Sequence, residues 1–453
     1  MRSFVRSRKF LMGASLAGLI AVLGVGPATL NQDFISSAHA QGSDVMVPVF
    51  EVDPLWPKPM PNGWIIGSTI GLAADKQDNI WIIHRPATLE EKEVYATRKQ
   101  ADCCTAAPDV LEFDQAGNLK NHWGKVAGHD WPSSNHGITV DDQGNVWLGA
   151  NGGGQPAAYA PGSQAQFDAA RAPRGARAPA PAATGGAASG AEGGPGGPCV
   201  EGKYHDSFML KFTPDGKFLG EIGSANGSRG SLDKNNVCGV ATIKFIPGTN
   251  ELVAADGYGN HRVSVWDPVT MKLKRMWGAY GKPPTDLIIP HYNPDSPQFG
   301  NPVHCASPSN DGMIYVCDRT NDRIQVFKTD GTFVKQYPME VNTRGDGSAW
   351  EIAFSRDAAQ KFMYVSDGSN EKIHVFDRAS MKELYSFGGG GRQPGLFYAM
   401  HSIVTDSKGN IYTTETYRGQ RVQRFVYKGL QSLNALMKKG VTGGSLVFAP
   451  TKN

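Results

Sequence analysis

Short apolar runs that alternate with polar positions recur along most of the chain, separated by turns rich in Gly, Asn and Asp. The repeating phrase is an apolar strand, a Gly or Asn turn, a second strand, a polar turn with a basic residue, and a third strand ending in an aromatic. The stretches Gly137 to Leu148 and Ser402 to Thr413 carry its first half; Asp256 to Val263, Asp318 to Ile324 and Asp367 to Ile373 carry its second. Alternation with a period of two predicts strands. Six units begin near Ile70, His136, Cys238, His304, Trp350 and His401. Units of four short strands, each too small to bury its own faces, predict an all-β fold, a six-bladed β-propeller. With residues 87–108 and 152–205 set aside as insertions, the spacing is about 47 residues per unit, as propeller repeats require. The tract 152–198 is nearly all Gly, Ala, Pro, Ser and Arg and is expected to be disordered, since it has little apolar surface to offset ordering entropy. Weak alternation from Val47 to Val52 predicts a strand that closes the ring.

Composition changes the picture at one end only. The first forty residues hold Arg2, Arg6, Arg8 and Lys9 against Asp33, which is the whole formal charge of +3. The remaining body is neutral and offers no electrostatic footprint for nucleic acid or an anionic membrane. The basic start, the apolar run Phe10 to Gly26 and the small residues Ala38 and Ala40 read as a signal peptide, residues 1–40, cut before Gln41. Ser7-Arg8-Lys9-Phe10-Leu11 is a degraded twin-arginine pattern, so either export route is open. The mature chain, residues 41–453, is expected to be one propeller domain, periplasmic or secreted, with no membrane span.

Candidate chemistry follows from the repeat. Counting back five residues from Asp75, Asp141 and Asp406 reaches Ile70, His136 and His401, and the matching positions elsewhere read as Cys238, His304 and Trp350. Histidine thus occupies blades two, four and six. Innermost strands surround the propeller axis, so three imidazoles from alternate blades converge on one axial point, a geometry that suits a divalent metal with three nitrogen ligands and an open position. Arg85, Tyr258 and Arg319 fall in loops at the same end. Arg262, Arg323, Lys372 and Arg421 recur at one repeat position and are expected to be structural or exposed.

The segments Gly71-Leu72-Ala73, His84-Arg85, His136-Gly137-Ile138-Thr139, Asp256 to Arg262, Val303-His304, Asp318 to Gln325 and Met400-His401 resemble, in order, the peptidyl-α-hydroxyglycine lyase domain of peptidylglycine α-amidating enzymes, and the repeat itself resembles the NHL repeat. The resemblance implies zinc on His136, His304 and His401, and an active site with Arg85, Tyr258 and Arg319. It also implies a substrate, small molecule or peptide, ending in an α-hydroxyglycine-like group, cleaved to an amide and glyoxylate. Tyr258 would then accept a proton if a neighbouring cation such as Arg85 lowered its pKa, while Arg85 or Arg319 would clamp the substrate carboxylate. The family's structural calcium is doubtful here, because Ser402 replaces the Asp that follows the third histidine. A different metal-dependent hydrolase and a non-catalytic NHL-type binding propeller are the alternatives.

The two insertions carry cysteines, Cys103 and Cys104 in the first and Cys199 in the second. In an exported protein Cys199 is expected to pair with Cys103 or Cys104, tying the flexible tract beside the site entrance.

Overall fold

The computed structural model describes residues 44–125, 128–153, 199, 204–287 and 292–438. The expected signal peptide and residues 154–198 of the Gly/Pro-rich tract lie outside them. Six four-stranded antiparallel sheets form the propeller. Their innermost strands are Ser68–Ala74, Asn135–Val140, Val240–Phe245, Val303–Pro308, Glu351–Phe354 and Met400–Thr405. Each touches the next in cyclic order, and the last touches the first. The ring therefore has six blades and is closed. Blade six takes its fourth strand, Met46–Asp53, from the other end of the chain, beside Arg421–Ser432. Residues 44–47 and 431–438 form a small unit of their own, in which the Leu433 amide donates to the Val45 carbonyl ahead of the short helix Leu433–Lys438.

Alternation builds this architecture because each blade buries both faces against its neighbours. Every junction between adjacent blades holds its own apolar cluster, such as Trp147, Val240 and Trp266 between blades two and three. Burial of such aromatic and branched side chains supplies most of the driving force. Turn chemistry fixes the register. Asp141 accepts from the Gln143 and Asn145 amides, the Asn145 side chain and the Trp147 indole, and Asp75 and Asp406 repeat the arrangement in blades one and six. These are Asx turns extended onto the following strand.

The recurring basic residues are largely structural. Arg262 pairs with Asp256 and Arg323 with Asp318, each at 2.7 Å and fully buried, and Arg421 pairs with Glu415 at 2.7 Å. Lys372 is half-buried, and in its blade His374 bonds Asp367 instead.

Two sequence expectations are corrected here. The axial position in blade three is Ala241, not Cys238. That blade has no Asp at the first turn; Ile246 stands there, its amide bonded to the Glu251 carbonyl, and counting back five from Ile246 reaches Ala241. The cysteines also pair differently: Cys199 with Cys238, Cys103 with Cys104, and Cys305 with Cys317. Cys305 and Cys317 are direct cross-strand partners in blade four. Cys238 is within reach of Cys199 because it lies in the lead-in to blade three, beside the loop that holds Tyr258 and Gly259.

Candidate metal centre and active site

In five of the six blades the axial residue sits where the innermost strand departs from regular pairing; in blade five Trp350 lies just ahead of a regular strand. The registers skip between Thr69 and Gly71, Asn135 and Ile138, Val240 and Thr242, Val303 and Cys305, and Met400 and Ile403. A bulge re-aims its residue, here toward the axis. Gly137 follows His136 and leaves room for blade three: a Cβ there would lie 2.9 Å from the Ala241 carbonyl oxygen.

That carbonyl has a function. His136 Nδ1 bonds Ala241 O at 2.6 Å, His304 Nδ1 bonds Trp350 O at 2.7 Å, and His401 Nδ1 bonds Ile70 O at 2.7 Å. Each imidazole from an even blade is held by the axial backbone of the next odd blade. A carbonyl only accepts, so every Nδ1 carries the proton and every Nε2 keeps its lone pair. The ring centroids lie 4.7 to 5.2 Å apart, and one nitrogen from each ring falls within 4.8 Å of the other two. All three side chains are buried, and burial, added to by neighbouring positive charge, holds their pKa values well below the usual histidine range. Neutral imidazoles are the form that binds a metal. Among the described residues His304 Nε2 is buried with no hydrogen-bond partner. Three convergent lone pairs, one of them orphaned, fit a divalent ion with nitrogen ligands.

The charged and phenolic residues gather at the same end, where the first strand of a blade begins and the second ends. Tyr258 Oη lies 3.1 Å from His136 Nε2 and accepts a bond of 3.3 Å from Arg319 Nη1. Burial pushes the Tyr258 phenol above its usual range, and the charges of Arg319 and Arg85 offset only part of that shift. Arg319 is buried, lies 4.4 Å over the Trp350 ring and faces Asp346 at 3.8 Å. Arg85 ends the second strand of blade one and donates to the Asn135 carbonyl from Nε and Nη2 at 3.1 and 3.0 Å, and to Asn151 Oδ1 at 3.0 Å. It thus braces the residue that precedes His136. Trp350, Asp346 and Asn151 complete these contacts. Trp350 was legible as an axial position, but the other two have no repeat signature.

Calcium does not fit. Ser402 brings no charge, its Oγ lies 3.1 Å from His401 Nδ1, and its amide donates to Thr414 Oγ1. Hard oxygen ligands with carboxylate charge are what such an ion requires. Among the described residues no helix is long and apolar enough to cross a membrane.

No family model matches the chain. It is 23% identical over 216 residues to the peptidylglycine alpha-amidating monooxygenase of Rattus norvegicus, covering 46% of this chain and 20% of that protein. The peptidyl-glycine alpha-amidating monooxygenase of Mus musculus is 23% identical over 192 residues, covering 41% and 18%. Among solved structures, a streptogramin B lyase aligns with a TM-score of 0.44 and 12% identity over 84% of this chain and 98% of that one. A virginiamycin B lyase from Staphylococcus aureus aligns with a TM-score of 0.41 and 11% identity over 84% and 89%. The chain spans about a fifth of the length of the curated relatives it matches, and within that span this six-bladed propeller is weakly similar to peptidylglycine α-amidating monooxygenases.

Proposed function

We propose that the protein is an exported, metal-dependent lyase that cleaves an N-acyl-α-hydroxyglycine to an amide and glyoxylate. The observation that carries this reading is the axial triad, three buried neutral imidazoles whose Nδ1 atoms are each tied to the next blade. His136, His304 and His401 would hold one zinc ion, which when bound would supply Lewis acidity toward a substrate oxygen and lower its pKa. The reaction moves the hydroxyl proton to the amide nitrogen, breaks the C–N bond and forms the glyoxylate carbonyl, consuming nothing else. Tyr258 would carry that proton: its hydroxyl lies 3.1 Å from the His136 Nε2 that would face the ion, and Arg319 stands where it would stabilise a phenolate in transit. Arg319 and Arg85 bring positive charge to the site and would orient the substrate carboxylate. The weak similarity to amidating monooxygenases supports the substrate class. The disulfides support an oxidising compartment, periplasmic or extracellular.

The test is metal analysis of the purified protein with a glyoxylate-release assay on N-acetyl-α-hydroxyglycine. Near one equivalent of zinc and zinc-dependent glyoxylate are expected, both lost in the His136→Ala/His304→Ala double variant. Stoichiometric metal in that variant sinks the assignment of the ligands. Metal without glyoxylate sinks the reaction.

A further inference from the structure

A second tyrosine stands across the mouth from Tyr258. Tyr417 follows Glu415 by two residues in blade six, as Tyr258 follows Asp256 by two in blade three, and these blades are opposite in a ring of six. The two phenols are joined through charged groups: Arg319 Nη1 bonds Tyr258 Oη at 3.3 Å, Arg319 Nη2 faces Asp346 Oδ1 at 3.8 Å, and Tyr417 Oη donates to Asp346 Oδ2 at 3.3 Å. Tyr258 is buried, whereas Tyr417 is 44% exposed, and Tyr398 nearby is 37% exposed with the Arg392 guanidinium 4.4 Å over its ring. Tyr417 holds φ at 50°, a left-handed conformation that bulky residues rarely adopt. Asp346 lies between Gly345 and Gly347, both at positive φ, and a Cβ on Gly347 would lie 2.0 Å from the Arg319 carbonyl oxygen. The loop backbone therefore runs close against Arg319, with the Asp346 carboxylate beside its guanidinium.

This arrangement gives the mouth a polarity. With a substrate carboxylate on the cations near the axis, as the proposed reaction requires, the acyl end would face outward, toward Asp346 and the exposed Tyr417 ring. We infer that Tyr417 is a specificity-determining residue that packs on the acyl group of the substrate, favouring aromatic and apolar acyl groups, and that the Asp346 carboxylate beside it disfavours anionic ones. The inference rests on the lyase reading, but its ligand-binding part can be tested apart from turnover.

The probes are N-benzoylglycine and N-acetylglycine, unreactive because they lack the hydroxyl, titrated calorimetrically into zinc-loaded wild type, Tyr417→Ala and Tyr417→Phe. Loss of one aromatic contact should weaken N-benzoylglycine about tenfold in the Ala variant, with N-acetylglycine shifted much less and the Phe variant close to wild type. The KM ratio of the two hydroxylated substrates should move in the same sense. Equal weakening of both ligands, no weakening, or no binding of either ligand to wild type overturns the inference. Selective loss of N-benzoylglycine binding with no glyoxylate from any substrate leaves the acyl site standing and removes the lyase reading instead.

Discussion

Replacing Lys244 by Met should destabilise the propeller by an amount that its contacts allow to be worked out. Lys244 lies three residues past the axial Ala241 on the innermost strand of blade three. Its ammonium pairs with Glu351 Oε1 at 2.8 Å and donates to Ser307 Oγ and the Ile352 carbonyl, both at 3.1 Å. Glu351 Oε2 accepts from the Ile403 amide at 3.3 Å, so this one cluster joins blades three to six along the axis. The Lys244 side chain is 25% exposed and that of Glu351 only 4%. Methionine keeps the aliphatic stem and removes the charge, leaving a carboxylate that water barely reaches. Breaking such a pair costs roughly 3 to 5 kcal/mol, and about 3 is expected here because the lysine end is partly hydrated. An unfolding entropy of about 2.1 cal/mol/K per residue over about 380 residues gives about 0.8 kcal/mol/K, so Tm should fall by about 4 °C. Differential scanning calorimetry of the purified protein measures it. The Lys244→Met/Glu351→Gln double variant should recover much of the loss, since no uncompensated charge remains. A single variant within 1 °C of wild type, or a double variant that loses more than the single, would refute the argument. Because the ammonium already fills this oxygen-lined position, wild-type Tm should also be indifferent to added calcium.

The remaining predictions concern acid stability and turnover. His84 accepts from the Gly67 amide at Nδ1 and donates to the Pro108 carbonyl from Nε2, and burial lowers its pKa to about 4. The unfolded chain therefore binds a proton below about pH 6.5 that the native state refuses. The His84 contribution is full above that pH and declines by roughly 3 kcal/mol as pH falls to about 4; a Tm–pH slope over this window that is no shallower in His84→Asn would contradict it. Tyr258→Phe should retain zinc while turnover falls about a hundredfold or more, and Arg85→Lys, which loses the fork that spans Asn135 and Asn151, should impair turnover as well. Wild-type rates in both variants would reject the proposed roles.

What the sequence revealed depended on whether a residue type was needed by the repeat. Asp75, Asp141 and Asp406 must be carboxylates to hold their turns, so they marked the register in blades one, two and six, and with it His136 and His401. Blade three lacks that marker: Ile246 holds the turn by its backbone alone, and the axial residue, Ala241, offers only a carbonyl. Nothing chemical distinguishes such an alanine, whereas Cys238 three residues earlier carries a functional group. The cysteine pairing was hidden for a related reason. It depends on how the lead-in to blade three meets the end of an insertion, and the repeat places no constraint on either. Tyr417 could have been found by superposing Glu415-Thr416-Tyr417 on Asp256-Gly257-Tyr258, but its meaning needs Asp346, which lies in a connection with no repeat pattern.

The arrangement of the triad explains why its histidines lie in alternate blades. An imidazole ligand needs two things, a lone pair on the axis and a partner that fixes the other nitrogen. Here blades two, four and six supply the rings, while blades three, five and one supply the carbonyls of Ala241, Trp350 and Ile70. A histidine in every blade would crowd the axis and leave neighbouring rings competing for orientation. Three in alternate blades let each ring rest on a backbone that carries no ligand of its own. The last of these contacts, His401 on Ile70, crosses from blade six to blade one, where the ring closes. No group of consecutive blades short of the whole ring contains all three histidines with all three carbonyls, so ring closure is what completes the triad.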